Sequence, residues 1–146
     1  APARWSNGQL KPPGAGSSVP CMPGRTPVVA VVDDEQPVRR ALQRLLRASG
    51  FDVRLFATGS DFMSHLEGID CVILDLHLPG MSGFEVQEAL TERGASVPVV
   101  VLTGNDTPAN RARSLANGAH AYLCKPVDDK VLLDALRPLT STAPTP

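Results

Sequence analysis

Apolar and polar positions alternate in blocks from Pro27 to Pro138, and the blocks change period as they go. Val28-Val29-Ala30-Val31-Val32 is continuously apolar and β-branched, and predicts a strand over Val28–Asp33. Gln36 to Ala48 repeats apolar residues at helical spacing: Val38, Leu42, Leu45 and Leu46 form one stripe, and Arg39, Arg40, Arg44 and Arg47 lie off it. Pro37 suits a first helical turn, and Gly50 suits the stop. Phe51–Phe56 alternates as a second strand, Gly59–Leu66 carries Phe62, Met63 and Leu66 on a short helix, and Asp70–Asp75 is a third strand. A turn-rich loop, Pro79 to Gly83, precedes a helix holding Phe84, Val86, Ala89 and Leu90. Val97–Thr103 is a buried strand, and a helix capped by Asp106 or Thr107 runs to about Ala116. Ala119–Cys124 is a last strand, and Val127–Arg137 a last helix closed by Pro138.

Five βα units in succession predict an α/β fold, with right-handed crossovers and helices on both faces of a parallel sheet. Phe62, Met63, Phe84 and the leucine stripes are expected in the core. Residues 1–26 are rich in Pro, Gly and Ser and predict a disordered N-terminal tail, in which Trp5 is a candidate docking anchor. Residues 139–146 predict a C-terminal tail or the start of a linker, which leaves 27–138 as the folded domain.

Composition narrows the function. A formal net charge of -1 gives no broad attraction to nucleic acid or membrane, and few aromatics means no base-stacking platform. No run spans a bilayer, and no start resembles a signal peptide. The first residue is Ala1 rather than Met, as in a trimmed or excised chain. Cys21, Cys71 and Cys124 fit neither a disulfide framework nor a zinc site; Cys71 and Cys124 are expected as small buried hydrophobes in a reducing, cytoplasmic setting.

The chemistry sits at strand ends. Asp33 and Asp34 close the first predicted strand and Asp75 the third; Thr103 ends the fourth, and Lys125-Pro126 follows the fifth. Ligands of open α/β sheets bind at that carboxyl edge. Clustered carboxylates repel, so a hard divalent cation is the reason to group them. Asp34 and Asp75 can ligate Mg2+ directly, with Asp33 ligating directly or through water. Lys125 can grip a phosphate oxygen, and the Thr103 hydroxyl can donate to another. A phosphoryl group transferring to Asp75 would then meet metal, ammonium and hydroxyl. A dinucleotide fold would instead want Gly-x-Gly-x-x-Gly where Asp33-Asp34-Glu35 stands, and acid there repels a pyrophosphate. A haloacid-dehalogenase-like phosphatase would want a second acid soon after the nucleophile, but Leu76-His77 follows Asp75. A phosphate-independent scaffold or protein-binding module needs none of this set.

Val31-Val32-Asp33-Asp34-Glu35, Leu74 to Gly83, Leu102-Thr103-Gly104 and Lys125-Pro126 together resemble the motifs of receiver domains of bacterial two-component response regulators. The resemblance covers Val28 to about Arg137. It implies a doubly wound, flavodoxin-like five-stranded sheet of order 2-1-3-4-5, and an Mg2+-dependent signalling switch that is not a turnover enzyme. Asp75 would be phosphorylated by a histidine kinase or a histidine phosphotransfer protein. The His77 backbone carbonyl would complete the metal site, the bond before Pro126 would be cis, and Thr103 and Tyr122 would form the switch pair. The His77 and Asn105 side chains would tune dephosphorylation, with a phosphorylated lifetime of minutes or longer. Arg39 and Arg40 would flank the kinase-docking edge. A phosphorylation-dependent homodimer and a separate effector domain or target would serve the output, and any DNA binding would belong to that effector.

Overall fold

The computed structural model describes residues 26–140. Trp5, Cys21 and the rest of the expected N-terminal tail up to Arg25 lie outside the described residues, as do residues 141–146 of the expected C-terminal tail; Leu139 and Thr140, expected in that tail, belong to the last helix. Strands β1 (Val28–Val32), β2 (Asp52–Phe56), β3 (Cys71–Leu74), β4 (Val99–Thr103) and β5 (Ala121–Cys124) form one sheet of order β2-β1-β3-β4-β5, every pair parallel. Register sets Val32 beside Phe56 and Leu74, and Thr103 beside Cys124. The polar residue that follows or ends each central strand therefore emerges along one edge.

Helices α1 (Gln36–Ala48), α2 (Gly59–Met63), α3 (Gly83–Glu92) and α4 (Pro108–Ala116) make the crossovers, and α5 (Asp129–Thr140) follows the last strand. The predicted α1 matches in full, with Pro37 in its first turn, where no backbone donor is lost, and Gly50 beyond its end at φ +95°. Its Leu42 and Leu46 pack with Leu132 and Leu136 of α5 against Val29, Val31 and Ile73. On the opposite face Phe62 of α2 and Val86 and Leu90 of α3 cover Ala30, Val32, Val72 and Val101. Continuous apolar strands are explained by this double cover.

Several predicted boundaries move. The second helix ends at Met63, short of the predicted Leu66, because the Ser64 hydroxyl donates back to the Ser60 carbonyl and Gly68 turns the chain at φ +78°. The strands β4 and β5 begin at Val99 and Ala121 rather than Val97 and Ala119, and each loses its opening residues to the preceding loop. The Thr107 hydroxyl caps α4 by accepting from Asn110 N at 3.0 Å, which decides between Asp106 and Thr107. The last helix begins at Asp129 and continues through Pro138 to Thr140, so Pro138 does not close it. A proline forfeits only one backbone bond so near a helix end. Buried Leu136 and Thr140 hold that turn down, and the Thr140 hydroxyl donates to the Leu136 carbonyl at 2.9 Å. Cys71 is wholly buried, and its thiol is pushed up to about 12 by that burial; Cys124 is only partly buried, unlike the expectation.

Candidate phosphoryl-transfer site

The two central strands end side by side, and their following residues meet. Carboxylate oxygens of Asp33, Asp34 and Asp75 all lie within 4.8 Å of one another. Asp33 is 3% exposed and Asp75 6%, whereas Asp34 faces solvent. Lys125, delivered by the β5 end, places Nζ 2.7 Å from Asp33 Oδ2, 3.2 Å from Asp75 Oδ2 and 3.6 Å from Glu35 Oε1. One ammonium thus faces three grouped acids.

The electrostatics follow from that imbalance. Burial pushes the Asp75 carboxyl above its ordinary value; Lys125 opposes the rise and the Asp33 charge adds to it. Burial works against the Lys125 charge, but the hydrogen bond to Asp33 and the charges of Asp75 and Asp33 outweigh it, so the ammonium is held above its ordinary value. Oxygen-only donors carrying surplus negative charge fit a small hard cation better than a soft one.

Backbone contacts fix the acids. Asp33 Oδ1 accepts from Glu35 N at 2.9 Å, and the guanidinium of Arg39 donates to the Asp33 carbonyl at 2.6 Å. Asp75 Oδ1 accepts from His77 N at 3.3 Å. The segment after Asp75 turns back into α3 through a capping box, in which Ser82 and Glu85 satisfy each other's backbone N–H. Gly83 opens that helix directly against the end of the Asp75 strand: a Cβ there would strike the Asp75 carbonyl oxygen and lie 2.7 Å from Leu76 Cα. Thr103 is fully buried, and its hydroxyl accepts from Asn105 N at 3.1 Å.

Residues 29–137 match the response regulator receiver domain profile. The chain belongs to the response regulator receiver family. It is 32% identical to the response regulator protein TodT of Pseudomonas putida, over 98% of this chain and 64% of TodT. It is 38% identical to the transcriptional regulatory protein TdiR of Thauera aromatica, over 77% of this chain and 51% of TdiR. The chain thus spans about half to two thirds of the length of the curated relatives it matches. Among solved structures, the response regulator StyR superposes with a TM-score of 0.74 at 39% identity, over 80% of this chain and 60% of that one. FixJ-N superposes with a TM-score of 0.74 at 27% identity, over 84% of this chain and 99% of that one.

The receiver domain brings together Asp33, Asp34, Asp75 and Lys125 as the sequence predicts. The Lys125-Pro126 bond is cis. The side chains of His77 and Asn105, both expected to tune dephosphorylation, bond to each other, Asn105 Nδ2 to His77 Nε2 at 2.8 Å. Tyr122 is 8% exposed and packs in the core cluster on the α2–α3 face of the sheet. Arg111 lies over its ring at 5.4 Å. Burial raises the Tyr122 phenol above its ordinary value and Asp106 adds to the rise, although no hydrogen bond of good geometry joins the hydroxyl to a described residue. Of the two arginines expected to flank a docking edge, Arg39 is half-buried and turned onto the Asp33 loop, while Arg40 is exposed. The Arg39 grip on a backbone carbonyl, the Glu35 approach to Lys125 and the tight seat of Gly83 are absent from the sequence reading. Only the short spacing from Asp33 to the first turn of α1 hints at the first. No helix among the described residues is long and apolar enough to cross a membrane.

Proposed function

We propose that this receiver domain is a phosphorylation-activated switch whose phosphoacceptor is Asp75. The observation that carries the reading is the meeting of Asp33, Asp34 and Asp75 within 4.8 Å, with Lys125 3.2 Å from Asp75 Oδ2. The donor is a phosphohistidine on a histidine kinase or phosphotransfer protein. An Asp75 carboxylate oxygen attacks phosphorus, the P–N bond breaks with its electron pair returning to the donor's histidine, which leaves as a protonated imidazole ring, and an acyl phosphate forms. Asp33, Asp34, Asp75 and the His77 carbonyl would hold Mg2+, and the ion would supply charge neutralisation for the incoming phosphoryl oxygens. Lys125 takes one of those oxygens. The Thr103 hydroxyl accepts from Asn105 N and so keeps its own proton free to donate to another.

The readout follows the same geometry. Drawing Thr103 toward the phosphoryl group pulls on the segment Gly104–Thr107 that leads into α4. Tyr122 keeps its inward position beneath that segment, and the α4–β5–α5 face changes shape for an effector or a second copy. His77 and Asn105 engage each other and present no base to an attacking water, which supports a phosphorylated lifetime of minutes or longer. The names of TodT and TdiR support a regulatory output carried by a part of the protein beyond this chain.

Incubation with acetyl phosphate and Mg2+, read by intact mass, tests the proposal. The wild type gains one phosphoryl group, and Asp75→Asn gains none. An unaltered wild-type mass would leave the scaffold reading in its place. A time course after donor removal tests the lifetime, and loss within seconds would refute it.

A further inference from the structure

Among the described residues, four buried side-chain polar atoms have no hydrogen-bond partner: Gln87 Oε1, Ser114 Oγ, Asn117 Nδ2 and the Tyr122 hydroxyl. All four border α4. Ser114 is the only buried residue of that helix, Asn117 is its C-cap, and Tyr122 lies under its Arg111. Gln87 reaches across from α3, where it is 2% exposed, and donates from Nε2 to the Ser114 carbonyl at 3.0 Å. Buried amide groups are seldom left unpaired, and such a concentration at one helix seat demands partners.

Two of the four point to what those partners are. Gln87 and Asn117 both line a cleft of about 260 Å3 at the α3–α4 seam, whose other walls mix polar Thr91, Ser96 and His120 with apolar residues such as Leu90 and Val99. One offers an unpaired acceptor and the other an unpaired donor. The lining side chains are neutral apart from exposed His120, so an ion would find no buried countercharge. An apolar occupant would leave Gln87 Oε1 unsatisfied. The cleft has room for several waters, each taking about 30 Å3 in the liquid.

We propose that the α3–α4 cleft is a hydration site in which bound water bridges Gln87 Oε1 to Asn117 Nδ2 and seats the C-terminal half of α4. The helix then rides on exchangeable solvent where other helices ride on leucines. Its significance rests on the switch reading above, because a water-bridged seat can be broken and remade as α4 shifts. Water contacts survive small displacements that interlocked side chains do not.

The test uses the full 146-residue chain labelled with 15N, and it needs no phosphorylation. Water-selective cross-relaxation should give peaks from long-lived water to the side-chain NH2 groups of Gln87 and Asn117. In Gln87→Met, which keeps the shape but removes the amide, those peaks should vanish. Backbone amides at the end of α4 should then exchange at least about tenfold faster, because the direct bond to the Ser114 carbonyl is lost together with the water bridge, while α1 amides hold their rates. Asn117→Ala leaves the Gln87–Ser114 bond in place and removes only the water contact, and it should speed α4 exchange by about threefold. Absence of both water peaks in the wild type, or α4 exchange unaltered in the variants, would overturn the site. Water peaks in a domain that acetyl phosphate cannot modify would sink the switch reading and leave the hydration site standing.

Discussion

The helices α4 and α5 flank the same end of the sheet and are held there by opposite means. Helix α5 buries Leu132, Leu136 and Thr140 and locks with Leu42 and Leu46 of α1. Helix α4 buries only Ser114 and turns Leu115 outward at 46% exposure. Its ties to the rest of the domain are polar: the Gln87 bond, Arg113 stacked over Phe84 at 4.1 Å, and an Arg113–Glu88 pair at 3.5 Å between half-exposed side chains. Exposed pairs of that kind contribute little. The Thr107 cap makes α4 a helix locally, but little apolar burial fixes where that helix sits. A domain built this way anchors α5 by apolar burial and holds α4 by weaker, polar ties.

The contrast can be broken at its strongest point first. Leu132→Ala should cost about 2–5 kcal/mol in urea unfolding, whereas Leu115→Ala on α4 should stay within about 0.5 kcal/mol. Equal losses would mean that α4 is packed as firmly as α5. Gly83→Ala forces a methyl into backbone at Asp75 and Leu76; it should destabilise by about 1–3 kcal/mol or more and depress acetyl-phosphate uptake.

The charged edge comes next in size. Lys125→Ala leaves Asp33 and Asp75 facing each other and should cost about 1–3 kcal/mol, less than a wholly buried pair because Lys125 is partly exposed. Mg2+ should restore part of the loss, measured as the shift in urea midpoint on adding the ion. In the wild type, Mg2+ at 100 times its Kd should stabilise by about 2.7 kcal/mol.

The smallest effect is a pH dependence. A raised Asp75 pKa means that the folded state binds the proton more tightly than the unfolded chain does. Its contribution therefore falls as pH rises from the unfolded carboxylate value through the folded one, and stays low above it. Metal-free thermal melts should show that decline in the wild type and lack it in Asp75→Asn. The variant should also be the more stable metal-free protein near neutral pH, by on the order of 1 kcal/mol at most, since Lys125 and solvent already offset part of the repulsion.

Much of this was legible in the chain. Continuous apolar runs such as Val28–Val32 and Cys71–Leu74 specify buried parallel strands without help from tertiary context. The residues just beyond them, Asp33 and Asp75, are then bound to share an edge, and so is Lys125 after β5. The failures lie where distant segments decide. Pro138 reads as a stop, yet burial of Leu136 and Thr140 carries α5 past it. Ser114 and Gln87 read as ordinary helix residues, and only packing reveals them as a polar seat. The Arg39 bond to the Asp33 carbonyl depends on how α1 leaves the sheet, at which the short spacing from Asp33 to its first turn only hints.

The absent side chain of Gly83 has a mechanical consequence. The main chain at Asp75 is backed by a helix that stands against it with no slack. On the switch reading proposed above, that side cannot give way when Asp75 is modified. The pull on Thr103 would then be taken up by the segment leading to the loosely seated α4, so the strain has a direction before any partner arrives.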